Sequence, residues 1–288
     1  MLYLKEGRGK ITFSNSFNTD DDFRAWLQQV TDLDARDRDA LLAEISQDSE
    51  LGATPEERLN ALKQAKTRSI AVLVVAIAAA AGLNFGTEAM HLPSAVALAL
   101  APVAAMLLLR QSPLLYSIFK KKADPRADLA FILMVAGFGL FFAAMNIEFV
   151  SYKPLLLLIV IVALGFVAAF FNSARQNSSP AGAVIGLLAF AALYGYGLAV
   201  AADTVTDKST ASTYVVPVTG KHISSGRSTT YYLELAPWGP IENSNRISVP
   251  HSFYNDTQPG DQVCLALHDG RLHAPWYQLA SCPAQPAQ

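Results

Sequence analysis

The chain has 288 residues, 52% of them hydrophobic and 16% charged, with a formal net charge of −2. Neither end of it is basic, which excludes the phosphate-neutralising surface that nucleic-acid binding requires. Between Ser69 and Ala202 lie apolar stretches with ionisable residues only at their ends, and that places the chain among membrane proteins.

The first predicted elements are two short strands, 2–5 and 10–13, around the turn Glu6-Gly7-Arg8-Gly9. Thr19 then N-caps a helix whose first turn, Asp20-Asp21-Asp22, suits the positive end of the helix dipole. Phe23, Trp26, Leu27 and Val30 fall at i, i+3, i+4 and i+7 on one apolar face. A second helix is expected over 34–45, with Leu41, Leu42 and Ile45 inward. Thr54-Pro55-Glu56-Glu57 is the clearest start, with a capping Thr, Pro at the first helical position and Glu three residues after the cap. That helix is expected to continue through Lys66 into the first apolar stretch.

The hairpin and the acid-capped helix bearing Phe23 and Trp26 resemble the end of a pleckstrin-homology-like domain, without any binding motif. The competing reading is a small helical cap on the membrane domain. It is preferred because the shared pattern is short. The acidic and then helical region 32–68, before a set of Ala-rich spans, is similar to uncharacterised multi-pass proteins of bacterial inner membranes. That resemblance implies a topology and no activity.

Five apolar stretches follow, at 69–85, 94–109, 128–147, 154–171 and 182–202. Each approaches the roughly 20 residues a helix needs to cross a bilayer. The first apolar run begins only at residue 69, so the N-terminal region is not read as a cleaved export signal. Lys63, Lys66 and Arg68 precede the first stretch, loop 86–93 has no Lys or Arg, and the next loop carries Arg110, Lys120, Lys121, Lys122 and Arg126. Cytoplasmic loops are the basic ones, so the N-terminus is expected in the cytosol and the C-terminal region in the periplasm. Segment 112–122, apolar and ending in three Lys, is expected at the membrane interface, as a plain topogenic stop or a headgroup-binding stretch.

A transport path usually shows charged residues within the spans. Here the candidates are at span ends: Glu88 and His91 in the first outer loop, Glu148 closing the third span, and Asp203 closing the fifth. Their expected role is interfacial solvation. Asn84, Asn146 and Asn172 are also at ends. Gly182-x-x-x-Gly186 and Ala191-x-x-x-Gly195, with Gly137 and Gly139, suit close helix packing within the chain. Glu88-x-x-His91 is not a zinc-protease pair, and Gly137-Phe-Gly139 is not a dinucleotide fingerprint. The sequence holds no phosphate loop and no Gly-x-Ser-x-Gly elbow. No catalytic, cofactor or metal site is therefore expected.

Region 213–279 reads as a small all-β unit with strands at 214–223, 229–236, 246–249, 262–268 and 271–279. Asp269-Gly270 predicts a tight two-residue turn that sets His268 opposite Arg271. In that register Val263, Leu265, Leu267, Leu272, Ala274 and Trp276 share an apolar face. Cys264, Ala266, His268, Arg271 and His273 share the other. Both cysteines, Cys264 and Cys282, are in this region, where an oxidising compartment permits a disulfide. The expected register leaves that pairing open, because Cys282 would have to fold back over the polar side. His268 and His273 are too few for a metal site, which needs three or four converging ligands. The unit is like the small β-modules appended to several bacterial membrane proteins.

The expected architecture is thus a five-span membrane α-helical bundle, 69–202, after a short α+β N-terminal region, 1–68. A small β-barrel or sandwich, 203–288, follows with a disordered tail. The expected role is an integral membrane scaffold or interaction protein of the cell envelope, not an enzyme. Its partners would be the lipid bilayer and envelope proteins met through the β-domain. The alternative is a transporter or channel component with the β-domain as an accessory.

Overall fold

The computed structural model describes residues 2–3, 10–11, 33–120, 124–145, 147–175, 180–226 and 229–282. The helix expected from Thr19 and the expected tail beyond Cys282 lie outside these. β1 (Leu2–Tyr3) and β2 (Lys10–Ile11) pair antiparallel, with Leu2 opposite Ile11. α1 (Leu33–Gln47) buries Ile45 completely. Arg58 holds its end to the next helix, donating to the carbonyls of Ser46 at 2.6 Å and Gly52 at 2.9 Å.

α2 (Pro55–Phe85) starts on the capping box. Thr54 Oγ1 accepts from the Glu57 amide at 3.2 Å, and Glu57 Oε2 accepts from the Thr54 amide at 3.3 Å, so two orphan donors of the first turn are satisfied. The helix then runs 31 residues without a break, about 46 Å, more than a bilayer's hydrocarbon core. α3 (Glu88–Gln111), α5 (Lys153–Arg175) and α6 (Pro180–Thr204) are also long and apolar enough to span. Their outward faces carry Leu100, Val103, Leu157, Ile161, Leu164 and Ile185, all exposed. Such a surface is costly in water and costs nothing against lipid.

The third apolar stretch differs from expectation. Its helix, α4 (Ala130–Ala144), has only 15 residues, about 22 Å. Among the described residues the long candidate spans are therefore four, with α4 as a shorter apolar helix. The flanks expected to extend it are used as strands instead. On one side β4 (Ala127–Asp128) lies parallel to β3 (Tyr116–Ser117), and the Leu129 amide donates to Ser117 O at 2.9 Å. This pulls Leu115, Tyr116, Ser117 and Ile118, the middle of the segment expected at the interface, into the core. On the other side β5 (Glu148–Phe149) joins the C-terminal sheet.

α4 occupies the centre of the bundle, where Ile132, Ala136 and Leu140 are fully buried. Small residues let its neighbours approach. A Cβ on Gly139 would sit 2.8 Å from Ala80 Cβ of α2, and one on Gly197 of α6 would sit 2.7 Å from the Leu140 carbonyl carbon. Gly195 is equally close to the Ile159 carbonyl of α5, while Gly186 has open space around it. Tyr194 Oη crosses from α6 to donate to Ala99 O at 2.7 Å.

The C-terminal sheet contains β6 (Ser212–Ser225), β7 (Thr229–Leu235), β8 (Asn245–Val249), β9 (Gln262–His268) and β10 (Trp276–Ala280). A short helix, α7 (His251–Asp256), follows β8. With β5 the strand order is β5-β10-β9-β6-β7-β8, every pairing antiparallel. Val216, Leu233, Leu235, Ile247, Val249, Val263, Leu265 and Tyr277 meet in one core, so the sheet is curled around one face.

The two-residue turn at Asp269-Gly270 does not form. β10 begins at Trp276, which pairs with His268, and residues 269–275 form a loop. The shift exchanges the faces expected for the last strand. Tyr277 joins the sheet core, while Trp276 turns to the opposite face with Ala266 and Cys264. That face is not polar, because it sits on the bundle. Trp276 packs with Phe149, Leu155, Ala144, Ala199 and Val200. In the same register Ala280 lies opposite Cys264, and Cys264 bonds to Cys282 with Cα atoms 5.1 Å apart.

Candidate functional site

The chemistry-bearing side chains outside the helical core gather where the sheet meets the bundle. Two acids sit at the end of α6, one helical turn apart. Asp203 is fully buried. Its Oδ1 accepts from the Leu272 amide at 2.6 Å, and its carbonyl accepts from the Arg271 amide at 3.1 Å. Asp207 Oδ2 accepts from the Gly270 amide at 3.1 Å, from Trp276 Nε1 at 3.2 Å and from Ser209 Oγ at 3.0 Å. Burial pushes the Asp207 carboxyl up, but these donors outweigh it and hold it below the usual carboxylate range. The loop 269–275 is thus wrapped onto the end of a spanning helix by its own amides. Gly270 adopts φ +73°, and a side chain there would collide with Asp203 and the Ala274 carbonyl.

Interfacial solvation is therefore wrong for Asp203. It is a buried acceptor that tethers the sheet, and its Oδ2 receives no hydrogen bond of good geometry. His268, placed by the expected register on the face opposite the apolar one, stacks on Trp276 with ring centroids 4.0 Å apart. Its Nδ1 lies 4.0 Å from Asp207 Oδ2. His273 belongs to the loop and not to a strand, with φ +60°. Among the described residues no three His, Cys, Asp or Glu side chains converge as a metal site.

Below the sheet is a cavity of about 270 Å³ with walls from Leu83, Leu140, Ile147 and Val200. His91, Thr204 and Gln278 line it with Asn84, whose amide is already committed to Ala80 O at 2.9 Å and Gly139 O at 3.0 Å. Glu88 is exposed in the first turn of α3 and does not line this cavity. The four candidate span-end residues thus separate: Glu88 in the open, His91 at the cavity, Asp203 under the loop and Glu148 on β5.

Glu148 pairs across to Tyr277 and lines a second cavity, about 370 Å³, between β8 and β10. Burial pushes its carboxyl above the usual range, and among the described residues no hydrogen bond or cation opposes it. Tyr277 is pushed up to about 12 by burial and by the Glu148 charge, against the Asn245 amide that donates to its hydroxyl at 2.9 Å. Asp207, Trp276 and Tyr277 are the junction residues that sequence reasoning missed. One aromatic faced the wrong side in the expected register, and Asp207 meets the sheet through Gly270 and Trp276, more than sixty residues away. No protein-family model matches the chain, no curated protein matches it, and no solved structure matches its fold.

Proposed function

We propose that this chain is an integral membrane scaffold or interaction protein of the cell envelope, presenting its β-domain to partner proteins. The observation that carries the reading is the mounting of the sheet. β5 from the α4–α5 connection pairs with β10, Asp203 and Asp207 bind the 269–275 loop, and Trp276 fills the space between sheet and helices. A module fixed this firmly suits a role as a presented surface. No Asp, Glu, Lys, Arg or His lies near the middle of any of the five apolar stretches, which argues against an ion or proton path. The proposed setting is a bacterial inner membrane, with five helices crossing it, the N-terminus in the cytoplasm and the β-domain in the periplasm. The lysine and arginine asymmetry of the first two loops supports that orientation.

The second reading, a transporter or channel component, is favoured by the cavity beneath the sheet, with His91 and Thr204 on an otherwise apolar wall. Its polar groups are all at one end of the bundle, so a path would need completion by other subunits. The test is chemical cross-linking in membranes followed by purification of the full chain and of a chain lacking 205–288. The truncated chain should stay in the membrane and lose the cross-linked envelope proteins. An unchanged set of partners would remove the interaction reading. Reporter fusions after Lys122 and after Gln288 should report opposite sides of the membrane, and matching reports would break the five-span topology.

A further inference from the structure

Among the described residues the curled sheet does not close: β8 is paired to β7 alone, and β10 beyond Tyr277 is paired to β9 alone. Ile247, Ser248 and Val249 of β8 face Tyr277, Gln278 and Leu279 of β10 across the 370 Å³ cavity that Glu148 also lines. An edge strand is a row of unpaired N–H and C=O groups, ready to template another strand. Four successive antiparallel pairings, from β10 through β9, β6 and β7 to β8, leave β8 and β10 running the same way. A segment entering between them, and running opposite to both, would pair antiparallel with each. The sheet would then close into a barrel, which removes both edges.

The chain itself begins this position. β5 lies antiparallel to β10, pairing Phe149 with Trp276 and Glu148 with Tyr277, and goes no further. α4 ends at Ala144, and Met145 just after it also lines the cavity. The gap is bordered by Gln278–Leu279 on one side and Ile247–Val249 on the other. Glu148 adds a charge preference. It is half-buried, accepts no hydrogen bond and meets no cation among the described residues. A half-buried carboxylate without a partner favours a ligand that brings a positive charge.

We propose that this seam receives an extended peptide segment of a partner protein, which adds as a strand between β8 and β10 and sets a Lys or Arg beside Glu148. Main-chain hydrogen bonds would give the affinity, and the Glu148 contact the selectivity. The proposal rests on reading the β-domain as an interaction module and names the class of partner it takes.

The test titrates the purified full chain in detergent with three synthetic peptides and follows amide hydrogen exchange. The first is acetyl-Thr-Val-Lys-Val-Thr-amide, the second has Glu in place of Lys, and the third is the Lys peptide N-methylated at alternate backbone nitrogens. The Lys peptide at millimolar concentration should slow exchange in both 245–249 and 278–280. The Glu peptide should bind about ten-fold more weakly, and the N-methylated one not at all. Glu148→Gln should erase the preference between Lys and Glu peptides, and Glu148→Lys should reverse it. Absence of protection on either strand at millimolar Lys peptide overturns the proposal. So does protection that rises with protein concentration and needs no peptide, because a second copy would then fill the seam. If the peptides fail while loss of 205–288 still strips cross-linked partners, the seam is wrong and the interaction reading stands. If that truncation changes nothing, the wider reading fails separately.

Discussion

Asp203 and Glu148 show how differently two acids at helix ends can be used. Asp203 is fully buried and its Oδ1 accepts the Leu272 amide, so Asp203→Ala would leave a buried N–H without a partner. That should cost about 1–3 kcal/mol, read as a lower melting temperature by tryptophan fluorescence, since Trp276 sits beside the loop. Exposed Glu88→Gln should leave the same melt unchanged. Equal melts for the two variants would deny Asp203 its tethering role. Glu148 has the opposite energetics. Its folded pKa is raised above the ordinary 4.5 by burial, so the folded state holds the proton more tightly than the unfolded chain. Stability linked to it is intact below 4.5 and falls as pH rises through the folded value. Glu148→Gln removes that loss, so it should raise the melting temperature at pH 7 to 8 and change little at pH 4. A variant destabilised equally at both pH values would show a structural bond that this carboxylate is not making. Asp207 runs the other way, since its donors hold it low and its contribution disappears only as pH falls through the depressed folded value.

Among the elements, those specified by neighbours in sequence were legible and those specified by distant partners were not. The start of α2 is encoded within four residues, Thr54 to Glu57, and both reciprocal bonds of the capping box are present. Thr54→Ala should cost on the order of 1 kcal/mol of local helix stability. Amide exchange should accelerate over 56–62, and unaltered exchange there would mean the cap is redundant with the Arg58 bonds to Ser46 and Gly52. β9 was readable because its apolar alternation is continuous over seven residues. Asp269-Gly270 carried an equally strong local signal and misled, because Asp203 and Asp207 recruit the amides of Gly270, Arg271 and Leu272, and the Arg271 amide is the one that would have closed the turn onto His268. One displaced turn then reversed the facing of every residue after it, as a sheet with a period of two requires. β5 and β3 have two residues each and no pattern to detect. Of the site, the charges at Glu148 and Asp203 could be picked out by their scarcity. Their separation into a seam and a tether depends on long-range pairing.

At the scale of the whole molecule, the sheet and the bundle share a core. Trp276 joins the two, packing against Phe149 of β5, Leu155 of α5 and Val200 of α6, stacked on His268 and bonded through Nε1 to Asp207. Residues from four separate parts of the chain therefore depend on one side chain. If the interface is what couples the parts, the full chain should unfold in one transition, because neither half can open without exposing this surface. Trp276→Ala would remove a large buried aromatic, at a cost of about 3–5 kcal/mol, and leave Asp207 one donor short. The Cys264–Cys282 bond and the separate core around Leu233, Leu235 and Leu265 are untouched by that change, so the sheet itself should survive. The expected outcome is a melt that divides into two transitions, with limited proteolysis newly cutting between Thr204 and Ser212 at a temperature where the native chain resists. A single transition at the native temperature, with no new cleavage, would mean that β5 and the two aspartates hold the β-domain in place without the tryptophan.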